Sequence, residues 1–179
     1  IYGLPVEYVR GKMTRKTVSR ARMQEELKAE NKDQVLYSDV MVIDSQKFLL
    51  TVCEPLQLTL QTPVERETVH VLGTALQGQL STLRERGFTP TVVHVDPQSA
   101  FQGLRTQFPG VVIDVGGARD FVAKVDAKIR RVKELYRSVK AGLAWSLPVS
   151  RVKDLVAYAV SRINLRRTSA LHGTLSPRV

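Results

Sequence analysis

The sequence predicts an α/β domain: a mixed five-stranded sheet, built from a three-strand antiparallel meander plus two further strands and flanked by helices. Two observations carry this. Three β-rich runs follow one another with only short turn signals between them, and two more then alternate with segments of helical periodicity. A length of 179 residues and a hydrophobic content of 43% are enough for one core of ordinary size.

Residues 1–34 differ from the rest. The stretch "RGKMTRKTVSRAR", from Arg10 to Arg22, is rich in Arg and Lys, holds no acid and shows little apolar periodicity. It reads as a basic N-terminal arm or linker that passes into a short polar helix around "RMQEELKAE". The core is expected over 35–165. Its first three runs are Val35–Ile43, Lys47–Cys53 and Leu56–Thr62, parted by "DSQ" and "EP", spacings that suit a meander. In "ETVHVLGTALQGQLSTLRERG" the residues Val69, Leu72, Leu76, Leu80 and Leu83 recur every three or four positions, as on one helix face, and Gly87 ends the pattern. "TPTVVHVD" has the texture of a buried strand, Pro97–Phe108 that of a short helix, and "GVVIDV" that of the last strand. Gly116 and Gly117 break the chain before a long helix from about Asp120 to Lys140. Its apolar face is Val122, Val125, Ile129, Val132, Tyr136 and Val139. A last helix is expected over about Val149–Ile163, and 166–179 reads as a truncated tail of the core.

Composition narrows the function. Cys53 is the single cysteine, which excludes an internal disulfide framework or a cysteine-rich zinc site, and His70, His94 and His172 have no ligand spacing. No apolar stretch approaches membrane-spanning length, and the first residues are too polar for a signal peptide. The chain starts on Ile1 rather than Met and is expected to be a piece of something longer. Lys and Arg number 27 against 17 Asp and Glu, a net charge of +10. Such a balance points to a polyanionic partner, nucleic acid first and an anionic membrane surface second.

Three acidic residues stand out. Asp39 interrupts the alternating set Val35, Tyr37, Met41 and Ile43, and a charge inside a strand is costly unless it is solvated at an edge, paired or bound to a metal. Asp44, five residues on, is most simply a turn residue. Asp96 ends the strand "TVVHVD" directly before Pro97, so it is either a helix cap or one arm of a metal site. Asp126 lies on the long helix; at about 100° per residue, Arg130 falls about 40° from it and Lys133 about 20°. That stripe is either a solvated acid–base pair or a carboxylate lined with cations. Clustered carboxylates bind hard divalent ions, and two such ions about 3.5–4 Å apart activate a nucleophile and stabilise the leaving oxygen of a phosphodiester.

In their order, these motifs resemble the catalytic core of a long-terminal-repeat retrotransposon integrase, of the retroviral-integrase type with an RNase H-like fold. "DVMVIDSQKFLLTV" resembles the family's first-strand Asp, hairpin turn and second strand. "VVHVDPQSAF" resembles its strand-ending Asp followed by a small polar residue and an aromatic, here Ser99 and Phe101. "VAKVDAKIRRVKELYRSV" is similar to the helix carrying the third acid, with Arg130 and Lys133 at DNA-contacting places. "LVAYAVSRINLRRTSALHGTLSPRV" resembles the closing segment of such cores, and "RGKMTRK" the linker from an upstream zinc-binding domain. The likeness spans about residues 8–178.

The resemblance implies a metal-dependent polynucleotidyl transferase that processes and joins DNA ends. Asp39, Asp96 and Asp126 are then the catalytic and metal-ligating residues, with Mg²⁺ or Mn²⁺, two ions, as cofactor. Arg130, Lys133, Lys12, Arg15 and Lys16 are then the DNA-binding residues, with retroelement ends and target DNA as partners. It further implies a homo-oligomer that works in the nucleus or virus-like particle of a eukaryotic host. On this reading Asp96 both ends its strand and faces the metal site. Two departures bear on activity: the family's third acid is Glu where this chain has Asp126, and its second Asp is followed by Asn-Gly where this chain has Pro97 and Gln98. The spacing from Asp96 to Asp126 is also slightly short. The alternative is an inactive or domesticated nucleic-acid-binding module of the same fold, and, within the enzyme class, a different RNase H-like nuclease.

Overall fold

The computed structural model describes residues 25–97, 99–104, 107–116 and 119–165. Among these described residues, five strands and five α-helices alternate much as the periodicity predicts. Lys12, Arg15, Lys16 and the basic arm, His172 and the tail lie outside them, as do the side chains of Ser99 and Val122. The elements are α1 (Glu25–Glu30), β1 (Asp33–Ile43), β2 (Gln46–Glu54), β3 (Leu58–Val64), α2 (Val69–Glu85), β4 (Thr89–Val95), α3 (Ser99–Gln102), β5 (Val112–Val115), α4 (Arg119–Ala141) and α5 (Val152–Asn164). A 3₁₀ turn, Val149–Arg151, precedes α5.

The sheet has the order β3-β2-β1-β4-β5. β1, β2 and β3 form the antiparallel meander, whereas β4 pairs with β1, and β5 with β4, in parallel. The strand alternation feeds two cores. On one face Leu36, Leu49, Val93 and Ile113 meet Leu72, Leu76, Leu80 and Leu83 of α2, with Phe101, Leu104 and Phe108 sealing the end. On the other face Tyr37, Met41, Phe48 and Leu50 meet Val125, Ile129, Val132 and Tyr136 of α4 and Val156, Ala159 and Ile163 of α5. Val125, Ile129, Val132 and Tyr136 of the expected apolar face of the long helix are thus packed, and Val139 is half-buried. At the far edge, Asn164 of α5 pairs its side chain with both backbone groups of Thr59, accepting from the amide at 2.9 Å and donating to the carbonyl at 2.7 Å. Those groups sit on edge strand β3, where no further strand would satisfy them.

Two elements differ from expectation. The third strand starts at Leu58 instead of Leu56, because residues 55–57 form a turn with Gln57 at φ 56°, and Leu56 is buried within that turn. Pro63 is tolerated inside β3 because the strand is an edge. The helix expected over Pro97–Phe108 is only the four residues of α3. Phe101, Leu104 and Phe108 are buried at helical spacing, but the chain turns tightly against α2 after Gln102. A Cβ on Gly103 would stand 2.9 Å from Val69 Cγ2. Burial of three anchors, not helix continuity, produces the apolar spacing there.

The β1–β2 hairpin is tied to α4. Asp44 takes its turn place at φ 46°, as expected, and also accepts hydrogen bonds from Tyr136 Oη at 2.6 Å and Lys140 Nζ at 2.5 Å. The Lys140 hydrogen bond, followed by that of Tyr136, holds the Asp44 carboxyl below its ordinary range.

Candidate active site

Asp39 lies on the α4 side of the sheet, between Tyr37 and Met41, which both enter the second core. The paired register of β1 and β4 ends at Ser38 opposite Val95, so Asp39 and Asp96 are the next residues of two parallel neighbours. Val93 and Val95 face the first core, while His94 stacks on Tyr37 on the opposite face. Alternation continues Asp96 onto the side of Asp39. Asp126 is an exposed residue of α4, the helix that packs along β1.

Electrostatics show these groups in one neighbourhood. Asp39 is half-buried, and its carboxyl is raised above the ordinary aspartate range, first by burial. The negative charges of Asp96, Asp126 and Glu67 raise it further, against the opposing effect of the Val40 amide, which donates to Oδ1 at 2.6 Å. Asp96 and Asp126 are therefore each near enough to act on the Asp39 carboxyl. They are not drawn into a finished ligand set: among the described residues no group of three or more His, Cys, Asp or Glu side chains is arranged to hold a metal ion.

Glu67 was not anticipated. It lies between β3 and α2, where its Oε1 pairs with Lys47 Nζ at 2.7 Å. The chain around it, "VERET", looks like an ordinary polar connection, and only the fold carries it to the carboxyl end of β1. Arg130 is exposed and Lys133 half-buried, on the flank of α4 that also carries Asp126. Arg137, exposed and one turn on, extends that stripe and donates from Nε to the Lys133 carbonyl at 3.2 Å. The simple cap reading of Asp96 does not hold, because α3 begins at Ser99 and Pro97 is not helical.

Beside the carboxylates the sheet carries a second polar group. His94 Nδ1 lies 2.9 Å from Asp114 Oδ2, and its ring stacks on Tyr37 with centroids 5.2 Å apart. The buried residues of the second core, among those described, come from no part of β4 or β5, and Val112 is 62% exposed. Among the described residues, Val112 on this face of β5 is thus exposed, whereas the His94 side chain is only 14% exposed.

No protein-family model matches the chain, and no curated protein does. Among solved structures, the catalytic core domain of BIV integrase is similar in fold, with a TM-score of 0.61 over 80% of this chain and 90% of that one. The two sequences are 14% identical, so the likeness is one of architecture. The mixed sheet with flanking helices is the RNase H-like arrangement of an integrase catalytic core. No described helix is long and apolar enough to cross a membrane.

Proposed function

We propose that this chain is the catalytic core of a retroelement integrase, which trims DNA ends and joins them to target DNA. One observation carries the reading. A half-buried aspartate stands in the central strand of the sheet, just past the end of its pairing with β4, and its carboxyl is raised by burial first and then by Asp96, Asp126 and Glu67. Burying a carboxylate among like charges is unfavourable unless a cation completes the site.

By donor chemistry three carboxylates suit a hard divalent ion, and Asp39, Asp96 and Asp126, which the structure does not draw into a ligand set, would hold Mg²⁺ or Mn²⁺ once brought together. When bound, such ions would supply Lewis-acid polarisation of a phosphodiester and a lowered pKa for an attacking water or hydroxyl. The remaining work falls to the chain's cations. Arg130, Lys133 and Arg137 lie along one flank of α4 beside Asp126 and would hold the DNA backbone by charge-assisted hydrogen bonds, which position the duplex without reading its sequence. The reaction class is hydrolysis near a DNA end, followed by in-line attack of the exposed 3′-hydroxyl on target DNA. Action as a homo-oligomer, in the nucleus or a virus-like particle, belongs to the same proposal. Incubating short duplexes with the chain and Mg²⁺ tests it directly; joined strands support it, and DNA binding without either cleavage or joining favours the binding-module alternative.

Two results bear on the parts. Replacing both Arg130 and Lys133 by Ala is expected to weaken DNA binding and flatten its salt dependence, by roughly one unit of log–log slope for each phosphate no longer neutralised. An unchanged slope would move the interface to the arm that holds Lys12, Arg15 and Lys16.

The second concerns Asp126, one methylene shorter than Glu and exposed. In a decayed copy, Asp126→Glu raises joining from background with DNA affinity unchanged. In a site built around Asp, the same change overfills it and lowers an existing activity.

A further inference from the structure

We propose that Lys124 is a positioning residue, setting where Asp126 stands relative to Asp39 by tying α4 to Glu54 and to the ring of Tyr37. The inference rests on the reading of the three aspartates as a cation site. Lys124 Nζ lies 2.7 Å from Glu54 Oε2, at the end of β2, and 4.9 Å from the centre of the Tyr37 ring in β1. Glu54 is in register with Val35, two residues before Tyr37, so both anchors occupy the same end of adjoining strands.

Tyr37 is itself fixed. It is buried, its ring stacks on His94 at an interplanar angle of 15°, and His94 pairs with Asp114. A row thus crosses four strands, from Glu54 on β2 through Tyr37 on β1 and His94 on β4 to Asp114 on β5, and Lys124 joins α4 to it. Asp39 follows Tyr37 by two residues on β1, and Asp96 stands two beyond His94, just past the end of β4. Asp126 is two residues on from Lys124, about 200° round the helix and so on the other flank of α4. The row lies one strand repeat below Asp39 and Asp96.

A tie is needed there for a physical reason. Apolar packing of Val125, Ile129 and Val132 sets how far α4 stands from the sheet, but it is not directional and resists sliding along β1 only weakly. Directional interactions fix the slide: Tyr136 and Lys140 on Asp44 at one end of the helix, Lys124 on Glu54 and Tyr37 at the other. Asp126 is exposed, so its place follows from the first turns of α4 that carry it.

The test uses the whole chain with Lys124→Met, Lys124→Arg and Glu54→Gln, read by amide hydrogen exchange along α4 and by Mn²⁺ titration. Lys124→Met is expected to speed exchange at 123–128 by about three- to tenfold, leave 132–140 unchanged, and weaken Mn²⁺ binding by a similar factor. Lys124→Arg keeps the cation and should restore both, with Glu54→Gln falling between. Unaltered exchange, or faster exchange with unaltered Mn²⁺ affinity, would overturn the role for Lys124 alone. An unsubstituted chain that binds no Mn²⁺ would overturn the cation-site reading, and this role with it.

Discussion

Exchanging Asp39 for Asn is expected to lower Mg²⁺-dependent strand joining by about two to three orders of magnitude while raising Tm. The amide has nearly the same shape but no charge for a cation, and a Lewis-acid contribution of several kcal/mol converts at tenfold per 1.36 kcal/mol. Stability moves the other way. The Asp39 carboxyl is raised above 3.8 by burial first and by Asp96, Asp126 and Glu67 after it. The folded state therefore binds that proton more tightly than the unfolded chain. Between 3.8 and the raised folded value it carries more protons, so stability falls as pH rises through that window, and the full penalty is present above it. Asn carries no such penalty at pH 7, and the pH dependence in the window flattens. Thermal melts without divalent ions, beside joining assays on short duplexes, check both signs. A loss of Tm together with joining would make Asp39 a structural residue, and retained joining would place the chemistry elsewhere.

Gln79→Ala is expected to cost about 2–4 kcal/mol of folding stability, or on the order of 5–15 °C in Tm for a domain of this size. Gln79 sits in α2 at 4% exposure. Its Nε2 donates to the Leu49 carbonyl at 3.1 Å and to Thr62 Oγ1 at 3.0 Å, and its Oε1 accepts from Thr51 Oγ1 at 2.5 Å. Thr51 in turn meets Ser38, the neighbour of Asp39, at 2.8 Å. One amide therefore links α2 to β2 and β3 directly and to β1 through Thr51. Truncation leaves a void and takes a partner from the buried Thr51 hydroxyl and from the Leu49 carbonyl, which is the costly way to lose a hydrogen bond. Gln79→Met, which refills the volume, should lose less. Chemical denaturation of both variants measures the difference; an Ala variant as stable as the parent would show that the network contributes nothing.

Much of the sheet was legible in advance because its signals are local. The meander followed from three β-rich runs with short turns, and the α2 and α4 faces from residues three and four apart, of which the structure buries Leu72, Leu76, Leu80 and Leu83 on α2 and Val125, Ile129, Val132 and Tyr136 on α4. The failures share a cause. Leu56 and the set Phe101, Leu104 and Phe108 are buried for reasons of tertiary packing, and burial alone imitates strand or helix texture. Gln79 and Asn164 read as ordinary polar residues of amphipathic helices; nothing near them in sequence marks the strands whose groups they satisfy.

By itself the sequence determined the order of elements, the basic balance of the chain and the oddity of Asp39, a charge set among residues that alternate toward a core. Each depends on a few neighbouring residues and the fixed period of a strand or helix. Tertiary structure alone decided that β4 lies parallel to β1 with Ser38 opposite Val95, which makes Asp39 and Asp96 neighbours across 57 positions of chain. It alone brought Glu67 toward them and laid Lys124, Tyr37, His94 and Asp114 in one row. Strand register between distant segments is set by the packing of whole faces against α2, α4 and α5, and no local period encodes it.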